Sequence, residues 1–194
     1  MIVTGYPGIG KTTLASKNDK IIDLESSSFW KYEEDINLNQ TENKTRPENW
    51  YIYYCQVAQD LSRQGYTVFV SSHPEVRKYL STHNQEHFCA IFPALSLKEE
   101  WLAKLKERYE NSKLDKDLRA YEYSLQNYEN NVRTFLYECS YNVEYYYNVV
   151  MLDDINYDLQ AAINGLEMVN KEKEDYLNNL FNKSQILEQD DVER

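Results

Sequence analysis

Residues 5 to 13, Gly-Tyr-Pro-Gly-Ile-Gly-Lys-Thr-Thr, concentrate the side chains and the backbone freedom needed to hold a polyphosphate. The chain has only five glycines, and three of them, Gly5, Gly8 and Gly10, fall in this stretch. Glycine is needed where a backbone turns sharply and approaches phosphate oxygens with no Cβ in the way. The spacing Gly5-x-x-x-x-Gly10-Lys11-Thr12 meets every fixed position of the Walker A pattern. It predicts that peptide N–H groups from Gly8, Ile9 and Gly10 through Thr13 surround a β-phosphate, with Lys11 bridging the β- and γ-phosphates. The Thr12 hydroxyl is then a ligand for Mg²⁺, and Thr13 reaches an α-phosphate. The ligand implied is ATP with Mg²⁺.

Such a loop functions between a strand and a helix, and its flanks have that character. Residues 1 to 4 read as a strand, and Lys11 to about Ser16 as a helix whose N-terminus aims further N–H groups and a positive dipole end at the anion. Lys20-Ile21-Ile22-Asp23 is a second strand ending in a carboxylate, followed by Leu24-Glu25-Ser26-Ser27-Ser28. Residues 31 to 46 are acidic and rich in Asn, and read as surface loop or irregular helix. From Pro47 the pattern is helical, with Trp50, Tyr54, Val57 and Leu61 on one face and Gly65 at the close.

Thr67 to Val70 is a third strand running into Ser71-Ser72-His73; a short helix from Pro74 to about Leu80 leads to a fourth strand, Phe88 to Phe92, ended by Pro93. Ser96-Leu97-Lys98-Glu99 matches a capping box, with Trp101, Leu102, Leu105 and Tyr109 following at helical spacing. After a break at residues 111 to 117, Leu118, Leu125, Tyr128, Val132 and Phe135 define a second long helix, so residues 95 to 139 form a helical hairpin. Tyr146 to Leu152 is a fifth strand, its apolar run reading as buried yet its Asp153-Asp154 ending suiting an edge strand with a helix-capping pair. A last helix from Asp158 to about Asn182 presents Leu159, Ile163, Leu166, Val169, Leu177 and Leu180 on one side, with a frayed polar end. The excess of tyrosine between Tyr109 and Tyr147 is expected to pack. Strands alternating with helices predict a three-layer α/β/α domain around a parallel five-stranded sheet.

A length of 194 residues suits one domain, 1–194. The formal net charge of -11 opposes sequence-independent binding to nucleic acid and leaves room for a local basic cleft holding a small anion. No apolar run approaches the roughly 20 residues that span a bilayer, and no charged and apolar leader precedes the first strand, which predicts a cytoplasmic protein without a membrane segment. Cys55, Cys89 and Cys139 are widely spaced and never in a C-x-x-C pair, the pattern of buried thiols rather than of a disulfide or zinc site.

Neither Asn43-Lys44-Thr45-Arg46 nor Asn170-Lys171-Glu172-Lys173 completes a guanine-specifying Asn-Lys-x-Asp, which argues against a regulatory GTPase. The arrangement resembles the small P-loop kinases that include nucleoside monophosphate kinases, with shikimate and gluconate kinases as relatives. More narrowly, it is similar to the nucleotide kinase-like proteins of bacteriophages and prophages. The resemblance covers nearly the whole chain in element order, although only residues 5 to 12 form a specific motif. It implies a sheet order of 2-3-1-4-5, an acceptor-side helical region at about 29–64, and a lid at about 95–139.

Carried onto this sequence, the resemblance makes Asp23 the residue facing acceptor and metal, with Ser26 and Ser27 nearby, Arg46 an anion contact, and Arg77 the arginine for an acceptor phosphate. Arg108 and Arg119, with Lys113 and Lys116 between them, become the lid cations over the transferring phosphoryl group, and His73 assists at the third strand. Each has a plainer alternative: Asp23 as a turn residue, Arg77 and the lid cations as solvated surface, His73 as a hydrogen-bonded structural residue. The third strand lacks the Asp of a Walker B site, so metal binding leans on Thr12, Asp23 and water. The expected activity is ATP-dependent phosphorylation of a small acceptor, foremost a nucleoside or deoxynucleoside monophosphate, by a monomer or homodimer. The competing reading is an ATPase or switch acting with a protein or nucleic-acid partner, its Walker B supplied by Val149 to Asp154 roughly 140 residues after Lys11. A nucleotide-binding protein without turnover is a third.

Overall fold

The computed structural model describes residues 1–29, 31–34, 40–83, 88–141 and 148–192. In chain order the elements are β1 (Ile2–Gly5), α1 (Lys11–Ala15), β2 (Ile21–Asp23), a 3-10 turn at Ser26–Phe29, β3 (Lys31–Glu34), β4 (Gln40–Thr45) and α2 (Trp50–Arg63). There follow β5 (Thr67–Val70), α3 (Pro74–His83), β6 (Phe88–Pro93), a 3-10 turn at Leu95–Leu97, α4 (Lys98–Ser112), α5 (Asp115–Tyr141), β7 (Asn148–Leu152) and α6 (Leu159–Val192).

Short β-branched and aromatic runs make the centre of the sheet. Five strands pair in the order β2-β5-β1-β6-β7, all parallel, with Ile2 opposite Val68 on one side and Phe88 on the other. Counted within this sheet the order is 2-3-1-4-5. Every residue of β1, β5 and β6 is buried, so both faces of the central sheet are covered. Parallel pairing also brings the carboxyl ends of the strands to one side, where Gly5, Asp23 and Val70 lead into the glycine loop, Leu24–Ser26 and Ser71–His73. In open α/β sheets, that side is where ligands are held.

One side chain ties two of these ends together. Tyr54 on α2 is fully buried, donates its hydroxyl to Leu24 O at 2.6 Å and accepts from Ser71 N at 2.8 Å. The loops after β2 and β5 are thus fixed through one phenol. Burial raises its pKa, so the hydroxyl remains a donor.

Several expectations are corrected. Residues 31–34 and 40–45 form an antiparallel ribbon, Lys31 opposite Thr45, rather than loop or helix. It is polar throughout, so no hydrophobic alternation announces it, and 35–39 lie outside the described residues. On α2 the buried face is Trp50, Tyr54, Cys55, Ala58, Gln59 and Ser62, while Val57 is exposed. Small side chains there allow close packing onto the sheet, which an apolar count overlooks. The Ser96 capping box does not form, because a 3-10 turn places Leu97 at the cap position. On α5, Ser124 is buried on the face of Tyr128 and Leu125 is exposed.

Strand β7 is an edge strand, with Val149 and Met151 exposed and Leu152 buried. Tyr146 and Tyr147 lie outside the described residues. Helix α3 reaches His83 and α6 reaches Val192, each longer than its apolar periodicity suggests; Leu159, Ile163 and Leu166 are buried, Val169 is exposed, and the side chains of Leu177 and Leu180 are not described. Cys55 and Cys89 are buried free thiols and Cys139 is partly buried. No helix among the described residues is long and apolar enough to cross a membrane.

Replacing Tyr54 by Phe keeps the packing and removes both hydrogen bonds, leaving the Leu24 carbonyl and the Ser71 amide without this partner. Urea unfolding of Tyr54→Phe is expected to show a loss of about 1–3 kcal/mol; an unchanged midpoint would mean that the two loops do not depend on this link.

Candidate active site

The loop between β1 and α1 has Gly8 at φ 90° and Gly10 at φ 92°, a left-handed region in which a Cβ is strained. At Gly8 there is a second reason. A Cβ would lie 2.8 Å from Leu105 Cδ2 and 3.2 Å from Trp101 Nε1, whereas at Gly10 the nearest atom is Leu159 Cδ2 at 3.9 Å. Trp101, fully buried, donates its indole N–H to Pro7 O at 2.9 Å. Because C=O and N–H point opposite ways across a planar trans peptide, that bond turns the Gly8 N–H away from the indole. Tyr157 hydroxyl reaches Gly8 O at 3.5 Å.

Not every loop N–H is available. Ile9 donates to Tyr6 O at 3.3 Å and its side chain is buried, so Ile9 closes the turn and packs instead of offering an amide to an anion. The N–H groups of Lys11, Thr12 and Thr13 belong to the first turn of α1 and have no acceptor within the helix. With five residues, α1 carries little macrodipole, so these amides matter more than the axial field.

In front of the loop lies a cavity of about 630 Å³, a size suited to small ligands. It gathers Gly8 to Thr13 and Asp23 with the wall Glu25, Ser26, Ser71, Ser72 and His73, and with Lys104, Arg108 and Lys116 from the hairpin α4–α5. Lys11 Nζ donates to Gly5 O at 3.0 Å; burial lowers its pKa, against the pull of Asp23 and Glu25. Thr12 Oγ1 donates to Asp23 Oδ2 at 2.6 Å, which leaves the Thr12 oxygen lone pairs facing elsewhere. A hydroxyl and a neighbouring carboxylate fit Mg²⁺, which takes one or two protein oxygens and completes its shell with phosphate and water. Among the described residues there is no group of three or more His, Cys, Asp or Glu able to hold a metal without such help.

The hairpin contributes cations in a fixed setting. Arg108 donates to Asp117, and Ser112 Oγ donates to Asp117 Oδ2 at 2.5 Å across the left-handed turn at Lys113. Burial pushes the Asp117 carboxyl up, but the bonds from Ser112 and Arg108 prevail and hold it below its ordinary range. Arg119 is exposed and does not line the cavity.

Lys104 was not singled out by sequence reasoning. Its ammonium lies 5.0 Å from the Trp101 ring centroid and 4.6 Å from that of Tyr157, and donates to Tyr157 hydroxyl at 3.2 Å. The two rings stack at 5.9 Å, and burial lowers the lysine pKa. The spacing of Trp101 and Lys104 puts both on one helix face, a signal available in the sequence; the approach of Tyr157 is not.

At the far wall, Arg46 donates to Ser26 O at 3.3 Å, to Ser26 Oγ at 3.1 Å and to His73 Nε2 at 3.1 Å, with its guanidinium 4.2 Å above Trp50. It stands behind the wall and is not among the cavity's lining residues. A guanidinium cannot accept, so His73 Nε2 is the unprotonated nitrogen and Nδ1–H donates to Ser71 Oγ at 2.9 Å. Burial, and then Arg46, lower the His73 pKa, which keeps the imidazole neutral.

Arg77, expected at an acceptor phosphate, is buried elsewhere. Its Nη2 lies 2.7 Å from Glu138 Oε1, its Nε 2.9 Å from Glu138 Oε2, Nη1 donates to Ser72 O, and Phe135 lies under it at 4.7 Å. A buried carboxylate on α5 thus captures it. Ser27 is exposed, with its hydroxyl 3.4 Å from Glu25 Oε2, and the lining serine is Ser26. Asp153 and Asp154 are exposed and outside the cavity; Asp154 accepts from Asn156 N, and the cap of α6 is Asp158, which accepts from Ala161 N at 3.1 Å.

No family model matches the chain, and no curated protein matches it. Among solved structures, the crystal structure of an uncharacterized protein from Eubacterium ventriosum aligns over 88% of this chain and 97% of that one, at 10% identity and a TM-score of 0.45. At that level the likeness carries no argument.

The two glycines differ in a testable way. Gly10→Ala is expected to lose about 1–2 kcal/mol from torsional strain alone. Gly8→Ala adds a clash with Leu105 and Trp101, and its loss in denaturant unfolding should exceed that of Gly10→Ala by about 1–3 kcal/mol. Equal losses would show that the hairpin does not press on the loop.

Proposed function

We propose that the protein is an ATP-dependent phosphotransferase for a small acceptor. What supports this reading is one cavity lined by the glycine loop, by a polar wall of serines and carboxylates, and by cations of the hairpin. A hydrolysing ATPase has less support, because Asp153 and Asp154, its candidate metal carboxylates, are exposed outside that cavity.

On this reading Lys11, the Gly8 N–H and the first-turn amides hold the donor's phosphates. Thr12 would hold Mg²⁺, with Asp23 orienting the hydroxyl through its hydrogen bond. The ion, when bound, supplies charge neutralisation at the β- and γ-oxygens. Arg108, Lys116 and Lys104 line the cavity as the groups that stabilise the charge of in-line transfer, an effect worth on the order of 10³-fold in rate. No protein nucleophile is required, since positioning and preorganised charge carry phosphoryl transfer. The buried Trp101 and Leu105 keep water from the loop's inner side.

Lys11→Ala is expected to weaken Mg-ATP binding by about 10- to 100-fold, the worth of one charge-assisted hydrogen bond. Calorimetric titration reads this directly, and wild-type folding of the variant is checked by its unfolding midpoint. Because burial lowers the Lys11 pKa, its charge is lost earlier than for an ordinary lysine as pH rises. Wild-type affinity should therefore fall as pH rises, and do so below the ordinary lysine range, while Lys11→Ala stays flat. Equal affinity in the two proteins at neutral pH would sink the proposal.

A further inference from the structure

We propose that the acceptor is an uncharged hydroxyl compound, a nucleoside or sugar, and that the site selects against phosphate monoesters. This rests on the phosphotransferase reading and departs from the monophosphate expected from the sequence. A monoester phosphate carries nearly two negative charges at neutral pH and needs cations at its own end of the cavity. The wall made by the segments after β2 and β5 offers the opposite: the Glu25 carboxylate, with the hydroxyls of Ser26, Ser71 and Ser72 and a neutral imidazole, and Asp23 beside Thr12 where the wall meets the loop.

Both arginines that could have changed this balance are committed. Arg77 is held by buried Glu138, and Arg46 bonds Ser26 and His73 from behind the wall. The cations that do line the cavity stand on the loop and the hairpin, where a donor's phosphates belong. The wall that remains has donors and acceptors suited to neutral hydroxyls and would repel an anion.

The chemistry closes with groups on the page and a nucleoside triphosphate as co-reactant. The acceptor oxygen forms a bond to the γ-phosphorus, the bond between that phosphorus and the β,γ-bridging oxygen breaks, and the diphosphate leaves with the electron pair. The acceptor hydroxyl proton passes to Asp23, which is placed beside Thr12 at the loop and lines the cavity. A monoester would have no use for that base.

The test is phosphoryl transfer from ATP, detected by mass spectrometry, to nucleosides and hexoses in parallel with the corresponding nucleoside monophosphates and hexose phosphates. The expected result is a kcat/KM at least about tenfold higher for the neutral compounds, the scale of one like-charge pair near a protein surface. Glu25→Gln should narrow that ratio by about threefold or more, and Glu25→Arg should narrow it further. A preference for monophosphates, with transfer still dependent on Lys11, overturns this inference and leaves the phosphotransferase reading standing. Lys11-dependent ATP binding with hydrolysis that no acceptor of either class accelerates or intercepts overturns both.

Discussion

The hydrogen bond from the Trp101 indole to the Pro7 carbonyl sets the orientation of the Pro7–Gly8 peptide, and the surrounding structure is built to hold it there. The loop cannot do this alone. Helix α1 is a single turn without a side-chain cap, and Ile9 spends its own amide closing the turn. Support comes instead from Trp101, 94 residues along the chain, whose indole holds the Pro7 carbonyl, and from Tyr157, 149 residues from Gly8. Trp101 in turn is fixed by edge contact with Tyr6 at 6.1 Å and by stacking on Tyr157. The backbone geometry of the loop is thereby made part of the hydrophobic core, where side-chain packing resists displacement.

The same packing sets the electrostatics. The chain carries a formal net charge of -11, yet Lys11, Lys104, Arg108 and Lys116 meet around one cavity. Lys11 and Lys104 have lowered pKa values because burial strips water from their ammonium groups. Arg108 is handled differently: it is held in place by its bond to Asp117.

The parts of this arrangement that are local in sequence could be read from it. Gly5 to Thr13 lie next to one another, β1, β5 and β6 are marked by β-branched and aromatic runs, and Asp23 follows directly from its strand. What could not be read depends on partners far along the chain. Arg46 and Arg77 look equally available in sequence, and only the approach of Glu138, 61 residues after Arg77, removes the second from the cavity's wall. Likewise Lys104 looks like a surface lysine on α4 until Tyr157 arrives beneath it. The ribbon of β3 and β4 escaped for another reason, since its strands carry no apolar alternation and its pairing is made by the backbone.

The hairpin α4–α5 is unequally anchored along its length. Its base is held by Tyr128, Val132 and Phe135, all essentially buried, by Tyr128 hydroxyl on Ala94 O at 2.8 Å, and by the ion pair from Glu138 to Arg77. Arg77 also donates to the carbonyl of Ser72 on the wall, so the base of the hairpin is tied to that side of the cavity. The tip, from Asn111 to Lys116, is exposed and held across by Asp117 alone among the described side chains that reach Arg108 and Ser112. Opening free energies follow buried contact, so they rise from tip to base. The segment that opens most readily is then the exposed tip carrying Lys113 and Lys116, while Trp101 and the wall behind Ser72 are held by buried contacts.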